Sequence, residues 1–443
     1  MGSITPAEAT PILKNPWIET PLVESASLSR AAGCRIFLKL ENVQPSGSFK
    51  SRAMGNQILS HLQNPDNFGR PVHFYASSGG NAGLAAVCAA RSLGYPCTVT
   101  LPVTTKPLMV ERLWTAGAAN VVQHGETIAA AGKYMQEVLM KGNDDDEDEA
   151  VVKIALHPFD NEPIWQGNST IVDELATQLP AATIHEQSET YPNKPLPLDA
   201  IVCSVGGGGL LNGLIMGIER ERQKIPKHRQ PTNLNSKENQ IHLVAIETQG
   251  TDSLAQAMAQ KSHIALDKIT SQATSLACVR VSEKTFNYAL SPPPGLAVHS
   301  AVLSDADAAR GSLRLVDDER LLVELACGVC IEAAVGDAGR ARAISSSSSS
   351  SSGTTAIPTS PASKKRKRDH NSSSRDEGYG DDRSSNESDP EDTLPSSSLQ
   401  SKLKQLVPDL NPESRVVIIV CGGSNVSVDV AVEWRKMLKE GWA

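Results

Sequence analysis

"DAIVCSVGGGGLLNGLIMGIERERQ", Asp199 to Gln223, decides the fold. Its opening, "DAIVCSVG", is a short apolar run with β-branched residues that ends in glycine, which predicts a strand buried on both faces. Its close, "GLLNGLIMGIERERQ", carries apolar residues at helical spacing and predicts a helix. Between them stand Gly206, Gly207, Gly208 and Gly209. A run of glycines costs conformational entropy and offers no side-chain packing, so a ligand pressed against the backbone explains it better than a simple turn does. No Lys-Ser or Lys-Thr follows, and Asn212 stands where the third glycine of a GxGxxG pattern would fall. The loop is therefore read as holding a phosphate, and neither ATP nor NAD.

The same alternation runs through the chain. Predicted strands are "RIFLKLE", "VHFYASS", "PCTVTLP", "NVVQHG", "IHLVAIET" and "RVVIIVCGG". Between them "KSRAMGNQILSHLQN", "AGLAAVCAARSLG" and "KPLMVERLWTAG" have helical periodicity. Strands alternating with helices predict an α/β protein, with mostly parallel twisted sheets flanked by helices. At 443 residues the chain exceeds the size at which one core stops growing, so two domains are expected.

Composition narrows the function. The chain is 40% hydrophobic and 21% charged, with a formal charge of −8, which fits a globular protein that takes small ligands. Net negative charge argues against nucleic acid or a membrane surface as partner. Six of the eight cysteines stand singly in apolar or glycine-rich surroundings and read as reduced thiols; Cys327 and Cys330 form a CxxC without partners at metal spacing and read as small core residues of a helix. The first twenty residues show no leader pattern, and a cytoplasmic location is the expectation. His124 and His157 lack partner spacing and read as structural.

Two segments break the alternation. "NDDDEDEA", 143–150, is expected to be an exposed acidic loop. Residues 345–398 begin in a serine run, pass through "KKRKR" at Lys364 to Arg368, and lack the apolar content to order themselves. The basic run reads first as a solvated charge run and second as a nuclear signal.

Three further stretches carry the chemistry. In "PSGSFKSRAMGN", Pro45 to Asn56, backbone and hydroxyls surround Lys50, a setting for an amine that must spend time neutral. "ASSGGNAGLAAV", Ala76 to Val87, places Ser78, Gly79, Gly80, Asn81 and Ala82 between a strand and a helix, where free N–H groups suit an anion. "VVIIVCGGSN" ends a strand at Cys421.

SFKSR, SSGGNAG, GGGGL and CGGSN, in that order, resemble the fold-type II pyridoxal-phosphate enzymes, the tryptophan synthase β-like superfamily, and within it the L-serine/L-threonine dehydratases, or L-serine ammonia-lyases. "ETPL", "HPFDNEPIWQG", "ETQGTDS", "KITSQATSL" and "VELACG" extend the resemblance. It implies pyridoxal 5'-phosphate as cofactor, joined as a Schiff base to Lys50, which also removes the substrate's Cα proton. It implies that Gly206 to Gly209 hold the phosphate, that Phe49 lies against the pyridine ring, that Asn81 meets the ring hydroxyl and that Cys421 faces the ring nitrogen. Ser78, Gly79, Asn81 and Ala82 would hold the substrate carboxylate. A monovalent cation, K+, would sit on Glu247 with carbonyl donors at Gly206, Thr251, Leu276 and Cys278, although "SLACVRV" departs from the usual residues there. The implied domains are 1–45 with 156–443, binding the cofactor, and a smaller 46–155; the implied assembly is a homodimer. The implied reaction is dehydration of L-serine to pyruvate and ammonia, and of L-threonine to 2-oxobutanoate. Other eliminases and racemases of this fold, and a nuclear interaction protein, remain alternatives.

Overall fold

The computed structural model describes residues 13–141, 151–180, 194–336 (apart from 227, 229, 230, 232, 237 and 238) and 401–442. The acidic run at 143–150 and the serine-rich insert with its basic run lie outside the described residues. Ten strands are described: β1 (Leu22–Glu24), β2 (Arg35–Lys39), β3 (Val72–Ser77), β4 (Cys97–Leu101), β5 (Asn120–Gln123), β6 (Val152–Leu156), β7 (Ala200–Ser204), β8 (Ile241–Thr248), β9 (Leu296–Leu303) and β10 (Arg415–Ile419).

They form two sheets. One has the order β1-β2-β10-β7-β8-β9, parallel except for β1, and the other the order β5-β4-β3-β6, parallel throughout. All five residues of β7, "AIVCS", and of β10, "RVVII", are buried, as expected of central strands covered by helices on both faces. Each sheet has its own apolar core, and the described parts of both belong to one compact unit. The CxxC lies in the helix Leu325–Val335, every residue of which is buried, so Cys327 and Cys330 are core thiols as the sequence implied.

The helix Lys50–Leu62 packs against both Glu162–Gln178 and Asn81–Ser92. It therefore joins the packing of the two sheets, and its first residue is the lysine singled out by sequence. The loops after β3, β7 and β10 leave the carboxyl ends of parallel strands, the edge at which open α/β sheets bind ligands.

One contact between β8 and β9 makes folding sensitive to acid. His242 Nδ1 and His299 Nε2 lie 2.9 Å apart, a hydrogen bond that needs one ring nitrogen without a proton. Burial above all, then the neighbouring His299 and Lys194, pushes the pKa of His242 from 6.5 down to about 4. Between those values the unfolded chain binds a proton that the folded chain refuses, so stability falls as pH drops from 7 towards 4. At pH 5 the loss from His242 is about 1–2 kcal/mol. Melting curves should show Tm falling from pH 7 to pH 5, with a smaller fall in His242→Gln. An equal fall in that variant would show that the pair does not cause it.

Candidate active site

Lys50 opens its helix behind Phe49, and its Nζ donates to the Pro158 carbonyl at 2.9 Å. The Phe49 ring lies 5.1 Å from the same amine. Loss of hydration lowers the pKa of Lys50 from 10.5 to about 8, while Cys278 and Cys421 nearby oppose the shift. At pH 7 about one amine in ten is then neutral, against about one in three thousand for an ordinary lysine. His157 shapes the turn that presents Pro158: its Nδ1 accepts from the N–H of Phe159 at 3.2 Å and of Asp160 at 2.8 Å. Burial lowers the pKa of His157 and so keeps Nδ1 free to accept. Sequence reasoning read this histidine as structural, without naming the turn that it shapes.

The lysine loop is zipped to the loop after β10. Phe49 N–H donates to the Cys421 carbonyl at 3.2 Å, Gly423 N–H to the Gly47 carbonyl at 2.9 Å, and Ser424 Oγ to the Ser46 carbonyl at 3.2 Å. Gly422 has φ +81°, and a Cβ there would overlap the Gly47 carbonyl, so both conformation and close approach require glycine. The Cys421 thiol is 3.6 Å from Ser204 Oγ. Burial, eased by that hydroxyl, pushes its pKa up to about 11, so it stays a neutral thiol. Ser48, two residues before Lys50, is buried with a hydroxyl that has no partner among the described residues.

The glycine run after β7 is crowded by protein. A Cβ on Gly207 would overlap the Phe159 ring, and one on Gly208, which has φ +87°, would overlap Thr285. Gly206 faces the Leu276 backbone, with 3.1 Å from a built Cβ to Leu276 Cα. Beneath the loop Asn212 joins Ser282 at 3.0 Å and Thr285 at 3.0 Å. The expectation that a ligand pressed against the backbone explains these glycines better than a turn is thus amended: the protein's own packing already excludes side chains. What the packing leaves free is the set of N–H groups of Gly206 to Gly209, which have no protein acceptor among the described residues. They stand at the start of the helix Gly209–Lys224, where the dipole favours an anion.

Asn81 starts the helix after β3. Its Oδ1 accepts from Ser424 N–H at 2.9 Å, and its Nδ2 donates to Ser275 Oγ at 3.2 Å and to Glu324 Oε1 at 3.0 Å. Both ends of the amide are engaged. Ser78 and Gly79 are part-buried in the turn before it, and Gly79 packs on Thr105. Ala82 is buried in the first turn of the helix. Sequence reasoning gave no part to Glu324, Ser275 or Phe159, although "VELACG" and "HPFDNEPIWQG" contain two of them.

Glu247 is fully buried, and its two carboxylate oxygens accept from the N–H groups of Leu254 and Ala255, each at 2.8 Å. Burial raises its pKa to about 8, against those two bonds. Thr251 is also fully buried and bonds Thr248 at 2.7 Å. Leu276 is buried against Gly206. Cys278, part-buried, donates from Sγ to the Arg280 carbonyl at 2.9 Å. Among the described residues Glu247 has no cationic side chain as an ion-pair partner, and no group of three or more His, Cys, Asp or Glu residues could hold a metal ion.

A part-neutral amine, and N–H groups at a helix start that are unpaired among the described residues, suit a carbonyl cofactor that carries a phosphate. The chain belongs to the pyridoxal-phosphate dependent enzyme family, whose model matches residues 13–350. It is 38% identical over 316 residues to an L-serine dehydratase of Saccharomyces cerevisiae, covering 71% of this chain and 84% of that one. It is 34% identical over 321 residues to an L-serine dehydratase/L-threonine deaminase of Mus musculus, covering 71% and 82%. Among solved structures it is similar to a fungal L-serine ammonia-lyase from Rhizomucor miehei, with TM-score 0.65 and 26% identity over 96% of this chain and 99% of that one. Maize serine racemase, with TM-score 0.61 at 18% identity over 96% and 93%, shares the fold.

Proposed function

We propose that the chain is a pyridoxal-phosphate-dependent L-serine dehydratase that forms pyruvate and ammonia, and that also converts L-threonine to 2-oxobutanoate. The observation that carries the reading is the Lys50 amine, with its pKa near 8, parked on the Pro158 carbonyl within the loops at the strand ends. Similarity to the yeast and mouse dehydratases supports the choice of substrate.

When bound, pyridoxal phosphate supplies an electron sink that makes the Cα proton of an attached amino acid acidic. Lys50 would anchor the cofactor and, once displaced by substrate, hold the Cα proton on Nζ; leaving the Pro158 carbonyl costs it one hydrogen bond. The N–H groups of Gly206 to Gly209 would take the phosphate, with Phe49 and the neutral Cys421 thiol at the ring and Asn81 at its hydroxyl. Ser78, Gly79, Asn81 and Ala82 would hold the substrate carboxylate. Loss of the β-hydroxyl as water gives 2-aminoacrylate, which takes up water again and yields pyruvate and ammonia. Glu247, whose buried carboxylate is met among the described residues by two N–H groups, would hold K+ with carbonyls of Gly206, Thr251, Leu276 and Cys278.

The reading keeps 1–45 with 156–443 as the cofactor-binding domain and 46–155 as a smaller one, in a cytoplasmic homodimer. No helix among the described residues is long and apolar enough to cross a membrane. Purified protein supplied with pyridoxal phosphate should absorb in the visible and release pyruvate from L-serine. A cofactor-loaded protein that released no keto acid from L-serine or L-threonine would overturn the proposal.

A further inference from the structure

Glu324 is a carboxylate with 5% of its surface exposed, and among the described residues no cationic side chain pairs with it. Burying a charge in that way costs free energy unless hydrogen bonds replace its hydration. Here they do, and they come from three separate segments. Glu324 Oε1 accepts from Asn81 Nδ2 at 3.0 Å and from Asn425 N–H at 2.7 Å, and Oε2 accepts from the Ser275 hydroxyl. The carboxylate also fills the space beside Gly423, which has φ +121° and room for no Cβ. Gly423 is in turn bonded to Gly47 in the lysine loop.

These bonds settle which way the Asn81 amide points. With Nδ2 turned to Glu324 and Ser275, Oδ1 is left to accept from Ser424 N–H at 2.9 Å. An amide free to flip would present either end with similar ease. The helix Leu325–Val335 starts without side-chain help from Glu324, so capping does not account for the residue; its side chain serves the loops.

We propose that Glu324 is a positioning residue that fixes the orientation of Asn81 and couples it to the loop after β10, so that the substrate-binding turn and the Cys421 loop are held as one unit. This deepens the functional reading above and rests on it for the substrate. Glutamine can do most of the same work, because Oε1 still accepts from Asn81 and Asn425 while Nε2 donates to the Ser275 hydroxyl. Alanine can do none of it.

The test compares Glu324→Ala and Glu324→Gln with the parent. In the cofactor-free protein, amide exchange at Ser424 should quicken at least tenfold in the alanine variant, although Ser424 bonds Asn81 and makes no bond to Glu324. A role confined to Asn425 or to stability would leave Ser424 exchange unchanged. In the loaded enzyme the alanine variant should raise KM for L-serine on the order of tenfold or more, as expected for losing a hydrogen bond to a charged group, while the glutamine variant stays within about threefold. Parental Ser424 exchange and parental KM in a folded Glu324→Ala protein would overturn the proposal, as would a lowered Tm with both of these unmoved. If the parent itself formed no pyruvate from L-serine, the functional reading would fail, whereas exchange at Ser424 would still decide the role of Glu324.

Discussion

Lys50→Ala is expected to leave a folded chain whose turnover of L-serine falls on the order of 10⁴-fold or more, because it removes the anchor and the base together. Among the described residues Lys39, a fully buried lysine, cannot take over, because it spends its Nζ on the Thr20 carbonyl at 2.7 Å, on Glu174 at 2.5 Å and on Gln178 at 2.8 Å. The fold should hardly notice, since the one bond lost, to the Pro158 carbonyl, contributes about 1 kcal/mol and removing a dehydrated amine offsets part of that. Pyruvate release and thermal melting measured on the same preparation separate the two effects. In the parent, association with pyridoxal phosphate should also quicken as pH rises through about 8, because only the neutral amine attacks a carbonyl and Lys50 loses its proton there. Pyruvate release from Lys50→Ala within tenfold of the parent would move the chemistry to another group.

Much of this site was legible because its chemistry sits in backbone-rich turns that interrupt apolar runs. Four glycines after "AIVCSV", and glycine-asparagine after "VHFYASS", can be seen without knowing what lies opposite them. The core strands were legible for a related reason: β7, β8 and β10 are buried almost throughout, so each contains an apolar run, "AIVC", "LVAI" and "VVII". β9 was not, because His299 and Ser300 interrupt "LAVHSAVL" at an edge where one side of the ladder has no partner. β6 also escaped notice: its five residues include an exposed Ala155 and follow the acidic run. Glu324 and Phe159 were hidden for a different reason. Their work is done on residues far along the chain, Asn81 and Gly207, and a spacing pattern in one sequence carries no record of that pairing. Thr285 shows the same limit: it is the neighbour that forces glycine at position 208, 77 residues earlier in a 443-residue chain.

Arg52→Leu is expected to destabilise the protein by about 3–5 kcal/mol, a Tm drop on the order of 10 °C, because it strands a buried carboxylate. Arg52 has no exposed surface, and its guanidinium forks onto Glu41 at 2.8 and 2.7 Å and onto Glu174 at 2.5 and 2.8 Å. Lys39 pairs with Glu174 as well, so two cations and two anions balance beneath the lysine loop. After the substitution Glu174 keeps Lys39, but Glu41, also fully buried, keeps only the Thr20 hydroxyl at 2.6 Å and the Gln44 amide at 3.2 Å. The cost therefore belongs to Glu41, and that locates the rescue. Arg52→Leu combined with Glu41→Gln removes both members of the stranded pair and should recover more than half of the lost stability, although each single change destabilises. Arg52→Lys should fall between, since one ammonium cannot fork onto two carboxylates. Chemical denaturation of the four proteins gives the cycle. A single variant as stable as the parent would show that the quartet does not hold the helix of Lys50. A double variant no better than Arg52→Leu alone would place the loss in the packing of the arginine stem instead of in the charge left on Glu41.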